Sequence, residues 1–186
     1  MSLELIIGPM FAGKSTELMT RLKRSIVLED PMVLVKPKID TRYSKTEVVT
    51  HNGYSMPAQT ILHPTELYSL AEQYPLIAID EVQFLDGEIV DILQEICKEK
   101  RVVAAGLGRD YRGEWFPLPN SNYTMSDLVK ISDNLTRLSA YCMYRQHGRM
   151  CGEQAFWTQR LTKSDSTIEL GGSDEYHARC RKHYET

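Results

Sequence analysis

The chain has 186 residues, and its 22 lysines and arginines stand against 25 aspartates and glutamates, for a formal net charge of −3. This balance excludes a generally basic surface, so we expect no nucleic acid partner. Hydrophobic residues make up 42 % and charged residues 25 % of the chain, which is typical of a globular protein and excludes disordered and fibrous classes.

The sequence carries no pattern for membrane insertion or export. Its longest apolar run extends from Ala140 to Tyr144, whereas a membrane-spanning helix needs about 20 such residues. The start, MSLELIIGPMF, lacks the basic segment, apolar segment and cleavage site of a secretory signal. We therefore expect a cytoplasmic protein with no membrane partner. Four cysteines in that setting predict buried thiols or a metal site rather than disulfides.

Short apolar runs alternate with helical patterns over the first two thirds of the chain, which predicts an α/β fold with a parallel sheet. The predicted strands are 3–7, 32–36, 76–79 and 102–107, and the predicted helices are 14–28, 65–72 and 120–128. A further helix is predicted with Asp86 as its N-cap. Its apolar residues share one face, which places Cys97 in the core: Ile89, Val90, Ile92, Leu93, Ile96 and Cys97.

The character of the sequence changes beyond residue 138. Three of the four cysteines and the pair Gly171-Gly172 lie in this part, among only short strand-like runs. We therefore predict two units, an α/β domain over 1–138 and a small lobe over 139–186.

The residues after the first predicted strand fit the pattern GxxxxGK[ST] and open a helix, as a phosphate-binding P-loop requires. The pattern and the residue after it comprise Gly8, Pro9, Met10, Phe11, Ala12, Gly13, Lys14, Ser15 and Thr16. The glycines let backbone N–H groups surround phosphates at the positive end of a helix. Lys14 is predicted to reach the β- and γ-phosphates and Ser15 to hold Mg²⁺. The alternative is a simple glycine turn between strand and helix.

A second motif is an apolar strand that ends in two carboxylates, Asp80 and Glu81. After a P-loop, an aspartate at the end of such a strand is predicted to face the bound metal. Glu81 is then free for proton chemistry. In a hydrolase it would orient water, and in a kinase it would accept a proton from a substrate hydroxyl.

Four stretches in this order resemble the P-loop thymidine kinases of the cytosolic and bacterial type. They are GPMFAGKSTELM (8–19), KIDTRYS (38–44), IDEVQF (79–84) and LGGSDEYHARC (170–180). The resemblance implies a P-loop NTPase-like parallel sheet flanked by helices, with a small C-terminal zinc-ribbon-like lasso lobe. It also implies that ATP and Mg²⁺ are bound, that Glu81 is the general base, and that Ser15 and Asp80 are associated with the metal. Arg42, with Asp40 beside it, matches an arginine near the transferred phosphoryl group.

The resemblance also implies a pocket for the thymine base. Its lining would be Met10, Phe84, Tyr111, Phe116 and Tyr176. Leu170, Gly171 and Gly172 match the lasso loop, whose backbone hydrogen-bonds the pyrimidine edge. From the residues alone, such aromatic side chains belong more often to a core than to a pocket.

Two departures from the family pattern stand out. Where the family shows GLDxDFRGxPF, this chain has Gly108 for aspartate, Arg109 for a small residue and Tyr111 for phenylalanine. The tyrosine adds a hydroxyl that needs a hydrogen-bond partner. We therefore expect these changes to affect the substrate range and affinity more than the chemistry.

The second departure concerns the structural zinc that the resemblance implies. The first cysteine pair is lengthened, from Cys142 to Cys151, while Cys180 and His183 match the second pair. These four residues would form a Cys₃His site. His147 is a competing fourth ligand, and reduced free thiols are the alternative to any metal.

The resemblance implies transfer of the ATP γ-phosphoryl group to the 5′-hydroxyl of thymidine, with deoxyuridine as a second substrate. It further implies a homotetramer and feedback binding of dTTP. Two other functions fit parts of the sequence. A P-loop ATPase would use the same motifs up to Glu81, and a zinc-knuckle nucleic-acid-binding module is disfavoured by the net charge of −3.

Overall fold

A computed structural model of the chain describes residues 1–40, 47–49, 53–162 and 174–185. Its strands are β1 (Ser2–Gly8), β2 (Met32–Pro37), β3 (Glu47–Val49), β4 (Ser55–Pro57), β5 (Gln59–Ile61), β6 (Leu76–Ile79), β7 (Arg101–Leu107), β8 (Asn134–Arg137), β9 (Ala140–Tyr141), β10 (Arg145–Gln146), β11 (Arg149–Met150), β12 (Gln154–Ala155), β13 (Trp157–Arg160) and β14 (Tyr176–Arg179). Its helices are α1 (Lys14–Val27), α2 (Glu66–Gln73), α3 (Ile89–Ile96) and α4 (Met125–Ile131), with a 3₁₀ turn over Val82–Phe84.

The main sheet has six strands in the order β5-β2-β6-β7-β1-β8, and each neighbouring pair is parallel. In the register of β1 with β7, for example, Leu5 pairs with Ala104. The carboxyl ends of parallel strands lie at one edge, where the loops that follow β1 and β6 meet. The predicted α/β class with a parallel sheet is confirmed.

Helices cover both faces of this sheet. Leu3, Leu5 and Ile7 point into a core shared with α2, α3 and α4. Ile6 points the other way, into a core shared with Leu18 and other residues of α1. Burial of alternate residues on opposite faces explains why β1 is apolar at consecutive positions.

Two helix boundaries differ from the sequence prediction. The prediction that Asp86 caps α3 is wrong, because the N-cap residue is Glu88. The Asp86 carboxylate instead accepts a hydrogen bond from Asn120 at 2.8 Å. The helix predicted over 120–128 begins only at Met125, where Thr124 and Asp127 form a reciprocal capping box. Asn120 is instead in the left-handed region, with φ 54°.

The edge strands β5 and β8 were not predicted. Each has three or four residues, and most of them are exposed or half-buried. Such strands lack the apolar run by which a buried strand is recognised. Cys97, predicted to lie in the core, packs against it while remaining half-buried, and this burial raises the pKa of its thiol to about 12.

The part beyond residue 138 has a small core of its own, made of Ala140, Cys142, Ala155, Ala178 and Cys180. Phe11 and Ala12 of the P-loop pack against it. The division of the chain into two units at residue 138 stays a prediction. Among the described helices, none combines the length and apolar content needed to cross a bilayer.

Candidate active site

The predicted P-loop connects β1 to α1 at the carboxyl edge of the sheet. Gly13 is the N-cap residue of α1, with φ 78° and ψ 25°. Glycine adopts this left-handed conformation without strain, and a Cβ atom added to Gly13 would meet nothing within 4 Å. The loop therefore leads directly into the start of a helix, which is a favourable place for an anion.

The Lys14 side chain is folded back along this loop. It is buried, and its Nζ donates a hydrogen bond to the Pro9 carbonyl oxygen at 2.8 Å. The positive charge is thus held beside the P-loop backbone, where burial weakens solvent screening.

Ser15 and Asp80 connect the P-loop to the end of β6. The Ser15 hydroxyl donates to Asp80 Oδ2 at 2.9 Å. Asp80 is buried, and its backbone N–H donates to the Val35 carbonyl oxygen at 2.9 Å. A hydroxyl and a carboxylate at this separation are oxygen donors of the kind that Mg²⁺ binds.

The Asp80 carboxyl group is hard to ionise in the ligand-free protein. Burial and the neighbouring charge of Glu81 raise its pKa from 3.8 to about 7, although Ser15 and Lys14 favour the ionised form. Asp40, also buried, adds a smaller contribution in the same direction. A cation in this place would reverse that balance and favour the carboxylate.

Glu81 follows directly and has an uncommon backbone conformation, with φ 52° and ψ 42°. Its carboxylate accepts a hydrogen bond from Gln83 Nε2. Arg42, predicted to lie near the transferred phosphoryl group, is outside the described residues.

The residues predicted to line a base pocket fall into two groups. Phe84 and Phe116 pack edge to face, with ring centroids 5.9 Å apart, and Phe116 belongs to the main core. Tyr111 and Tyr176 both lie against Arg160, whose guanidinium is 3.9 Å and 5.4 Å from their ring centroids. Met10 is held to β13 by its backbone N–H, which donates to Thr158 Oγ1 at 3.1 Å. The predicted lasso residues Leu170, Gly171 and Gly172 lie outside the described residues.

The four predicted zinc ligands come together in the small lobe. The ligand atoms of Cys142, Cys151, Cys180 and His183 all lie within 4.8 Å of one another. His183 Nδ1 is 3.7 Å from the Cys142 sulfur and 3.4 Å from that of Cys180. A tetrahedral zinc with ordinary bond lengths needs a separation of about 3.6 Å between sulfur and nitrogen. The donor set and its spacing therefore fit zinc.

Electrostatics also favour a metal at this cluster. Burial opposes ionisation of the Cys142 thiol, but hydrogen bonds from the backbone of Cys180 and Tyr144 and from His183 outweigh it and lower its pKa to about 7. The Tyr144 ring stacks on the His183 ring at 4.0 Å. His147, the competing ligand, is exposed in the hairpin formed by β10 and β11 and is not part of the cluster.

Comparison with known proteins decides the family. The thymidine kinase family model matches residues 1–184 of this chain. The chain belongs to the thymidine kinase family. It is 38 % identical over 190 residues to the thymidine kinase of Coprothermobacter proteolyticus, with 98 % of this chain and 90 % of that protein covered. It is 34 % identical over 192 residues to the thymidine kinase of Pyrobaculum aerophilum, with 98 % and 97 % covered.

Among solved structures, domain III of the Thermotoga maritima replication initiation protein DnaA superposes with a TM-score of 0.41 and 16 % identity, covering 73 % of this chain and 54 % of that one. So weak a similarity carries no functional information. The family predicted from the four motifs is confirmed by the sequence relatives instead.

The loop that departs from the thymidine kinase pattern is attached to the small lobe. Arg109 lies between the rings of Trp115 and Trp157, at 5.2 Å and 5.1 Å from their centroids. Tyr184 donates to the Tyr111 carbonyl oxygen at 2.7 Å. The Tyr111 hydroxyl has the partner that it was predicted to need, since Arg112 Nε donates to it at 2.9 Å. Of the unusual residues, Arg109 thus connects this loop to the lobe through its side chain.

Three residues near the site were not singled out in the sequence: Gln83, Thr158 and Arg160. Gln83 and Arg160 are buried polar side chains, and each acts on a predicted site residue through a contact that folding creates. In the sequence, nothing distinguishes a buried arginine at the end of a strand from one that faces solvent.

Proposed function

We propose that this member of the thymidine kinase family transfers the γ-phosphoryl group of ATP to the 5′-hydroxyl of thymidine, and that deoxyuridine is a second acceptor. The observation that supports this most is the family match, because it extends over residues 1–184 and so includes the P-loop, the pair Asp80-Glu81 and the lobe. The product, thymidine monophosphate, would enter deoxynucleotide synthesis in the cytoplasm.

In this proposal the P-loop binds the donor nucleotide. The backbone N–H groups of residues 8–16 and the buried Lys14 ammonium bind the phosphates, and Arg42 stabilises charge that spreads over the phosphoryl oxygens in the transition state. Ser15 and Asp80 would hold Mg²⁺, which supplies charge neutralisation at the phosphates when bound. The 2.9 Å contact between Ser15 and Asp80 supports this assignment.

Glu81 would act as the general base and accept the proton of the thymidine 5′-hydroxyl. The base of the nucleoside would lie among Met10, Phe84, Tyr111, Phe116 and Tyr176, with Leu170, Gly171 and Gly172 binding the pyrimidine edge. Exclusion of water around the acceptor would favour transfer to the nucleoside over hydrolysis.

Cys142, Cys151, Cys180 and His183 would hold one structural zinc that stabilises the small lobe. A homotetramer and feedback binding of dTTP complete the proposal. Both are properties that the family resemblance implies.

The decisive experiment measures ADP release from Mg·ATP with and without thymidine, and in parallel with the other deoxynucleosides. We expect release only with thymidine or deoxyuridine, together with formation of the 5′-monophosphate. Equal release without any nucleoside would identify an ATPase and refute the proposal.

A variant pair tests the base assignment. Glu81→Gln should lower kcat about 10²- to 10⁴-fold while nucleotide binding persists, because this is the contribution of general-base catalysis. Glu88→Gln is the matched control, because Glu88 is an exposed glutamate whose side chain makes no capping bond. Normal activity of Glu81→Gln would refute the role of Glu81.

A further inference from the structure

We propose that Gln83 is a positioning residue that fixes the Glu81 carboxylate for proton transfer. The inference rests on the proposed function, in which Glu81 is the general base.

The Gln83 side chain bridges two elements. It is fully buried, with 0 % exposure. Its Nε2 donates to Glu81 Oε2, and its Oε1 accepts a hydrogen bond from the backbone N–H of Leu107 at 3.0 Å. The Glu81 carboxylate is therefore connected through one amide group to the carboxyl end of β7 in the central sheet.

The chemistry of the two partners fixes the orientation of this amide. A backbone N–H can only donate a hydrogen bond, so the Gln83 oxygen must face Leu107. The Gln83 NH₂ group then has to face Glu81, and an ionised carboxylate can only accept. No flipped arrangement satisfies both contacts, so the amide orientation is fixed and the bridge holds one Glu81 oxygen in place.

The backbone brings Gln83 back toward Glu81. Glu81 has φ 52°, a conformation uncommon for residues other than glycine, and its carbonyl oxygen accepts a hydrogen bond from the Phe84 N–H at 3.0 Å. This tight turn places the side chain of Gln83 beside that of the residue two positions earlier. Val82, which lies between them, is fully buried and anchors the turn in the core.

An independent observation is the glycine opposite the bridge. A Cβ atom at Gly106 would lie 2.5 Å from Gln83 Oε1 and 2.9 Å from Val82 Cγ1. Both distances are well below van der Waals contact, so β7 has room for the Gln83 amide only because residue 106 is glycine. The space for the Gln83 amide is thus provided by a glycine of β7, although Gln83 itself lies in the 3₁₀ turn.

A glutamate side chain has three rotatable bonds, and a general base must lie within hydrogen-bond reach of the proton that it abstracts. Holding it in one conformer removes an entropic barrier at each turnover. Misplacement by about 1 Å can lower a rate about 10²-fold. The bridge should therefore affect kcat much more than KM.

The test substitutes Gln83→Met, which keeps the length of the side chain and removes both hydrogen bonds. We expect kcat for thymidine phosphorylation to fall about 10- to 100-fold, with KM for thymidine and ATP changed less than twofold. Gln73→Met is the control, since Gln73 is exposed on α2 and donates only within its own helix, to the Ser69 carbonyl oxygen. Unchanged kcat in Gln83→Met would overturn the inference.

A double-mutant cycle separates positioning from a general structural effect. If Gln83 acts through Glu81, Gln83→Met should lower the residual kcat of Glu81→Gln by less than threefold. An equal fall in both backgrounds would show that Gln83 acts elsewhere and would overturn the inference.

Gly106→Ala provides a second variant that leaves Gln83 itself in place. Its Cβ should displace the Gln83 amide and reproduce the fall in kcat, again without effect in the Glu81→Gln background. A normal kcat in Gly106→Ala would count against the bridge. Failure of the wild-type protein to phosphorylate thymidine would refute the proposed function as well. An active wild type, a strongly impaired Glu81→Gln and a fully active Gln83→Met would refute only the role of Gln83.

Discussion

Binding of Mg·ATP at pH 6 is expected to release close to one proton from Asp80. The pKa of this buried carboxyl group is raised to about 7 in the ligand-free protein, so about nine tenths of it is protonated at pH 6 and about one tenth at pH 8. A metal ligand must be deprotonated. Binding should therefore release about 0.9 proton at pH 6 and about 0.1 at pH 8, and the Kd should be about tenfold higher at pH 6.

The contribution of Asp80 to folding stability depends on pH in the opposite direction from that of a salt-bridged carboxylate. Because the folded-state pKa of Asp80 lies above the ordinary value of 3.8, its contribution to the stability of the ligand-free protein is fully present below about pH 4. This contribution is lost as the pH rises through about 7. Mg·ATP should thus add more stability at pH 8 than at pH 6.

The assay is isothermal titration calorimetry with preformed Mg·ATP in two buffers of different ionisation enthalpy. The difference between the buffers gives the number of protons released. Asp80→Asn is the matched control, because it keeps an acceptor oxygen for Ser15 and has no titrating proton. The protons that this variant releases on binding therefore come from groups other than Asp80. If the wild type and Asp80→Asn release the same number of protons at pH 6, the reasoning about Asp80 is refuted.

Four further predictions follow from the packing and from the lobe. Leu93→Ala, at a residue 1 % exposed in α3, should lower the free energy of unfolding by about 2–5 kcal/mol in urea titrations, with KM for thymidine unchanged; a loss below 1 kcal/mol would contradict the assigned core. Thr124→Ala removes the cap of α4 and should lower the same quantity by about 1 kcal/mol. Cys180→Ser should lose the zinc that atomic absorption is expected to find in the wild type, whereas His147→Ala should keep it; zinc-free wild-type protein purified without chelator would rule out the site. Arg160→Leu removes the contacts with Tyr111 and Tyr176 and should raise KM for thymidine about tenfold with little change in kcat, a split that steady-state kinetics resolves.

The elements that could be predicted from the sequence are those whose signal lies within their own residues. β1, α1 and β6 combine a buried apolar run or stripe with a motif at the end, and each was predicted to within two residues of its bounds. β5 and β8 were missed because their residues are mostly exposed or half-buried and so form no apolar run. The cap of α3 was misplaced since Asp86 bonds Asn120, 34 residues away.

The candidate site divides in the same way. The P-loop and the pair Asp80-Glu81 could be predicted because their chemistry depends on residues that are adjacent in the chain. Gln83 and Arg160 could not be predicted, because their roles depend on hydrogen bonds to residues of other elements. The partner is Leu107 for Gln83 and Tyr176 for Arg160. A hydrogen bond between residues that are far apart in the chain forms no motif with a fixed spacing, so the sequence alone does not reveal it.

The strand order of the central sheet also has a consequence for biosynthesis. β1 lies between β7 and β8, and Leu5 pairs with Ala104, so β1 leaves the ribosome long before its partners exist. At about 5–20 residues per second, roughly 5–20 s pass before β7 has been made. During that time Leu3, Leu5 and Ile6 form an apolar segment without a sheet to join. The nascent chain is therefore exposed to aggregation at β1, and the order of synthesis makes this strand, although it is made before the rest of the sheet, one of the last to be paired on both sides.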